Sequence, residues 1–174
     1  MLSPGNKVLL VSKPHIDCIS AICKECAAFK AQILFRFTIG SVDNSILGFW
    51  EPKAPVFEER IAALIHAYKA GFQTSISCEP MLDGNIGAVI DQTREFVTNA
   101  IWLGKVNRLR QIISINCPGD SVVRKHADEL ISIQNDEAIH KLYERYRTDS
   151  KIKWKESIKK VVGLKLAPEP GLDV

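Results

Sequence analysis

Four short runs rich in apolar, β-branched and aromatic residues constrain this chain most: each starts apolar and finishes polar, and a helix-length stretch separates it from the next. The clearest is Ile33 to Ser41, Ile-Leu-Phe-Arg-Phe-Thr-Ile-Gly-Ser. Its composition favours extended structure. Period two sets Phe35, Phe37 and Ile39 on one face and Leu34, Arg36 and Thr38 on the other. One face is apolar and the other turns polar, so Arg36 needs either water or a partner. Lys7 to His15 repeats the pattern with Leu9, Val11 and Lys13 on one face; Gln73 to Pro80 has Ser75, Ser77 and Glu79 in register; Ala100 to Asn107 sets Lys105 and Asn107 with Ile101 and Leu103.

Strands alternating with helices predict parallel pairing and right-handed crossovers. The expected fold is therefore α/β, with about four parallel strands and flanking helices. Ligands of such sheets sit at the carboxyl ends of the strands, where Lys13, Thr38, Ser41, Glu79, Lys105 and Asn107 fall. A lysine suits a carboxylate, a glutamate suits an ammonium or hydroxyl, and Ser or Thr suits a ribose edge.

Between the strands, helical spacing predicts a helix from Asp17, as cap, to about Lys30, and a second from Phe57 to Ala70 with Ile61, Leu64, Ile65 and Tyr68 inward. Val42 to Pro55 reads as a long connection, the kind that forms lids and binding loops. Further helices are expected near Ile86–Thr98, Ser121–Gln134, Asp136–Arg147 and Lys151–Val162. Residues 1–166 form one expected domain, and the Pro-rich 167–174 a flexible tail.

With 174 residues and 46% hydrophobic content, the chain can bury a sizeable core. Twenty-three basic against 20 acidic residues give a net charge of +3, too slight to imply nucleic acid by itself. The lysine-rich 151–165 segment could meet phosphates, but no aromatic interleaving or groove-reading motif accompanies it. No apolar run approaches a membrane span and no signal-peptide order opens the chain. Five cysteines without a disulfide framework agree with a reducing compartment, so a cytoplasmic location is expected.

Taken together, several stretches resemble radical S-adenosylmethionine proteins, in the branch related to spore photoproduct lyase. They are Val8–His15, Phe35–Ser41, Phe49–Pro55, Ser77–Asp83, Ile101–Asn107 and Trp154–Lys159. The resemblance implies a partial (β/α) barrel, incomplete at its N-terminus, whose strand ends hold S-adenosylmethionine. Lys13 resembles the lysine that meets the methionine carboxylate, and Thr38 the hydroxyl residue of the following strand. Arg36, Ser41 and Glu79 are assigned to the same cofactor by facing and position. His15, Ser77, Lys105 and Asn107 are expected to face a substrate.

The family also holds a [4Fe-4S] cluster through a Cys-x3-Cys-x2-Cys loop, and this chain lacks that loop. Cys18, Cys23 and Cys26 have Cys-x4-Cys-x2-Cys spacing on an expected helix, where positions five and eight apart diverge by roughly 140° and 80°. The plainer reading of these cysteines is core packing. The chain is expected to start about two strands into the barrel and to be inactive alone. One alternative is a non-catalytic subunit or binding module whose barrel is completed by an N-terminal half or a partner chain. Another is a barrel-type lyase using a strand-end lysine, Lys105 or Lys13, although Lys105 paired with Glu79 is the plainer expectation.

Overall fold

The computed structural model describes residues 2, 3 and 5–169. The end of the expected tail, residues 170–174, lies outside them, as do Met1 and Pro4. Among the described residues, five strands form one sheet: β1 (Val8–Ser12), β2 (Ile33–Thr38), β3 (Gln73–Cys78), β4 (Ile101–Leu103) and β5 (Ile152–Trp154). They lie in the sheet in chain order, and every neighbouring pair is parallel. The sheet is open. Among the described residues, eight α-helices lie between the strands and after β5: α1 (Ile16–Glu25), α2 (Asn44–Trp50), α3 (Phe57–Lys69), α4 (Ile86–Thr93), α5 (Leu109–Asn116), α6 (Ser121–Ile133), α7 (Asp136–Tyr146) and α8 (Glu156–Val162).

Register partners in a parallel sheet share a face, so the pairing Val11↔Arg36↔Ser75 and Thr38↔Ser77↔Trp102↔Lys153 defines one side of it. The opposite side carries Phe35, Phe37, Ile39, Ile76, Leu103 and Ile152, and these join Ile19, Leu64, Val89 and Ile90 of the helices in one apolar core. Neither Leu9, Val11, Leu34 nor Trp102 belongs to that core. Leu9 and Val11 are 47% and 58% exposed at the sheet edge. Crossovers of one hand between strands in sequential order put their helices on a single side, and the apolar half of β2 marks that side. The alternation read from Ile33 to Ser41 is thus borne out.

Several expectations need correction. The segment Lys151–Val162 is not one helix: Ile152 and Trp154 are buried and Lys153 is exposed, a period of two that pairs with β4, and α8 begins only at Glu156. The fourth strand ends at Leu103, so Lys105 and Asn107 stand beyond it on a loop. Within Val42–Pro55, Asp43 accepts the amides of Ser45 and Ile46 and starts a helix in a stretch expected to be irregular.

Helix α1 starts at Ile16, with His15 rather than Asp17 at its cap position, and residues 27–32 tighten into a 3-10 turn. The helix expected to reach Thr98 ends at Thr93. Helix α5 was not anticipated. On α3 the inward stripe is Phe57, Arg60, Ala63, Leu64 and Ala67, while Tyr68 is 40% exposed. Gly71, at φ +81°, supplies the left-handed turn that stops this helix short of β3.

Candidate functional site

Where the strands end, the loops enclose a cavity of about 600 Å³. Lys13 follows β1, Glu79 follows β3, and Lys105 and Asn107 follow β4; all four line it. The end of α2 adds Phe49, Trp50 and Glu51, and α5 closes the far side with Leu109, Ile112 and Ile113. Polar strand ends thus meet an apolar lid. This combination of a mainly apolar hollow with a few convergent charges is how small-molecule sites are generally built.

Glu51 is the residue around which one wall is arranged. Its side chain is 9% exposed; Oε1 lies 3.4 Å from Lys13 Nζ and Oε2 2.6 Å from Arg60 Nη1. Arg60 is fully buried, and it also donates from Nε to Pro55 O (2.7 Å) and from Nη1 to Thr38 O (3.1 Å). One guanidinium therefore ties the end of β2, the end of α2 and the start of α3 together. A buried charge persists only with such partners. Burial by spacing was the available signal: Arg60 stands three residues after Phe57 and four before Leu64, but the apolar neighbours Ile61 and Ile65 drew the stripe elsewhere.

A second ion pair crosses the other wall. Lys155, just past β5, reaches Glu79 at 3.2 Å. Gly104 permits this approach, since a Cβ there would stand 3.0 Å from Glu79 Cγ and 3.1 Å from Lys155 Cβ. Lys105 was expected to pair with Glu79 and instead pairs with Asp136 at 3.2 Å. Its backbone amide donates to Ser157 Oγ, and the Val106 amide to Gln134 Oε1. Buried Gln134 also donates to Met81 O at 2.7 Å, pinning the loops after β3 and β4 to each other.

The remaining expected residues lie elsewhere than in this lining. Arg36 stacks over Trp102 at 4.9 Å, with Lys155 at 5.0 Å from the same ring. This cation–π stack stands on the face away from the core. Thr38 offers its carbonyl to Arg60, and Ser77 is buried on the same side of the sheet as Trp102. Buried Ser41 donates to Asp83 and accepts the Asp43 amide. His15 Nδ1 lies 3.2 Å from Glu59 Oε1 at the start of α1.

Cys18 is exposed and Cys23 buried on α1, and Cys26 follows the helix. Burial, reinforced by Cys26, holds the Cys23 thiol above its ordinary range. Burial likewise pushes Cys78 upward. Among the described residues no group of three or more His, Cys, Asp or Glu side chains could hold a metal ion, and no helix is long and apolar enough to cross a membrane.

The fold and its strand-end hollow define an α/β protein with a five-stranded parallel sheet and a candidate small-molecule site built on loops at its carboxyl edge. Comparison with known protein families, curated proteins and solved structures returned no match.

Proposed function

We propose that this chain is part of a radical S-adenosylmethionine-type barrel and binds S-adenosylmethionine at its strand ends. The observation that carries the reading is the convergence of Lys13, Glu79, Lys105 and Asn107 from three strand ends on one cavity with aromatic Phe49 and Trp50. Five parallel strands in chain order, with one core-facing side and one polar side, support reading the open sheet as one wall of a (β/α) barrel. S-adenosylmethionine presents a carboxylate, an ammonium and an adenine ring, and the lining offers lysine, glutamate and aromatic groups to meet them. Arg36, Thr38, Ser41 and Ser77 support that wall from strand β2, its exit and strand β3.

The cysteines do not fit a [4Fe-4S] cluster: on one helix and its end, Cys18 is exposed, Cys23 buried and Cys26 half-buried, and among the described residues they form no group of three that could hold a metal. The role of this chain in the reading is to bind and orient the cofactor. A second reading is a module whose barrel is completed by another polypeptide. It is favoured by β1, an edge strand that exposes Leu9 and Val11.

Isothermal titration with S-adenosylmethionine tests the first reading. Saturable one-to-one binding that weakens about tenfold or more on Glu79→Ala is the expected outcome; absence of heat and of any thermal shift would remove it.

A further inference from the structure

The lysine-rich segment 151–165 folds as a strand and a helix, and that division regroups its cations. Beside β5 lies a second hollow, of about 460 Å³. Lys153 of β5, Lys159 of α8 and Lys165 beyond α8 line it, together with Arg147 at the end of α7. Among the described residues Asp149 is the one carboxylate in the lining, so the local excess of cations equals the net charge of +3 of the whole chain. Arg94 holds Asp149 through both oxygens, so that carboxylate does not neutralise the lining. Lys153 and Lys165 are exposed, and among the described residues neither side chain makes an ion pair or a hydrogen bond. Arg147 uses only Nε, which donates to exposed Glu144 at 2.8 Å.

Cations at helix ends commonly offset the free carbonyls of the last turn. Here backbone amides meet those carbonyls instead: Arg147 N donates to Tyr143 O, Asp149 N to Tyr146 O, and Leu164 N to Lys159 O past Gly163, whose φ is +72°. The side-chain charges remain for the hollow, beside the hydroxyls of Thr148 and Ser150. We propose that this hollow binds the phosphate group of a small phosphorylated ligand. A phosphate monoester carries about two negative charges at neutral pH, arginine meets its oxygens as a planar fork, and lysines and hydroxyls add single donors. Nucleic acid fits the same charges less well. Single strands need a cationic track and open aromatic faces on which bases stack, whereas these cations surround one hollow. Trp154 is only 8% exposed, packed edge-on against Tyr143 with ring centroids 5.3 Å apart.

The hollow stands apart from the strand-end cavity. Residues 147–150 lead into β5, and Leu164 and Lys165 follow α8, so the hollow lies toward the amino edge of the sheet; the two cavities share no lining residue. Nothing in it depends on what the strand-end cavity binds. A phosphate held there bridges the end of α7, strand β5 and the end of α8.

Isothermal titration of the whole chain with sodium pyrophosphate at constant ionic strength tests this. Saturable one-to-one binding is expected, weakened about tenfold or more when Lys153→Met and Lys165→Met are combined. The melting temperature of that variant without ligand should be unchanged, because neither lysine has a partner to lose. Absence of saturable binding, or equal binding by the double variant, overturns the proposal. So does equal affinity for citrate, which would make the hollow a general anion patch, or an affinity for oligothymidylate that exceeds that for pyrophosphate and rises with strand length, which would make it a nucleic-acid track. A second readout is taken on the wild-type chain carrying 13C-labelled lysine. Pyrophosphate is expected to shift the ε-methylene resonances of Lys153 and Lys165, assigned by their loss in the single variants; if both stay unmoved while pyrophosphate binds, the site lies elsewhere and the proposal falls.

Discussion

Arg60 is the single side chain on which the geometry of the strand-end wall depends most. It sits where a helix of this pattern would ordinarily place leucine, and it is stable there because its donors meet Pro55 O, Thr38 O and Glu51. Arg60→Met retains most of the volume but leaves Glu51 buried with Lys13 as its only remaining ion-pair partner among the described residues. Removing one member of a buried pair costs about 3–5 kcal/mol. Urea unfolding is expected to register a loss of that size. A loss below 1 kcal/mol would mean that the guanidinium contributes little to the wall. Glu51 itself looks in the sequence like any loop carboxylate between Trp50 and Pro52, since nothing local announces a cation nine residues further on.

The elements that shape the site are the short ones. Helix α2 begins because Asp43 satisfies two of its free amides, and the hydroxyl and amide of Ser45 hold the Asp43 carboxyl below the ordinary carboxylate range. Helix α5 closes the cavity with Ile112 and Ile113 while leaving Ile115 69% exposed. Between these lids, Gln134 from the end of α6 holds the loops after β3 and β4 by one donated and one accepted bond. Gln134→Ala leaves the Met81 carbonyl and the Val106 amide without that partner. At about 1–3 kcal/mol for an unsatisfied buried group, stability should fall by about 2 kcal/mol or more. Amide exchange at Val106 should accelerate in the same variant, and an unchanged rate there would count against the pinning role.

At the scale of the molecule, five parallel strands are fastened at the β5 end by an ion pair rather than by apolar contact alone. Asp149 is bound by Arg94 through both oxygens, accepts the Lys151 amide, and so delivers the chain into β5. The Arg94 hydrogen bond lowers the Asp149 carboxyl below its usual value, with smaller help from the Lys151 amide and charge. A carboxyl depressed in the folded state stabilises above its unfolded pKa, about 3.9, and loses that contribution as pH falls through the folded value. Asp149→Asn should therefore lower stability at neutral pH and flatten its fall below about pH 4. Acid titration of unfolding, followed by circular dichroism in both forms, checks this; parallel acid limbs would exclude Asp149 as a source of the pH dependence.

Period-two alternation in Ile33–Ser41, and the polar ends of three further runs, determined an α/β chain with parallel strands and polar strand ends. Those features follow from side-chain direction along a single strand, which needs no partner. The sequence also placed Lys13, Glu79, Lys105 and Asn107 at the edge where they meet. It did not reveal β5, because Ile152-Lys153-Trp154 is too short to outweigh the lysines of a helix-like segment until β4 offers it hydrogen bonds. Nor did it reveal which charges pair. Lys155 with Glu79, Lys105 with Asp136, and Arg60 with Glu51 join residues on different elements, and Coulomb attraction between them acts only once tertiary packing has brought those elements within a few ångströms.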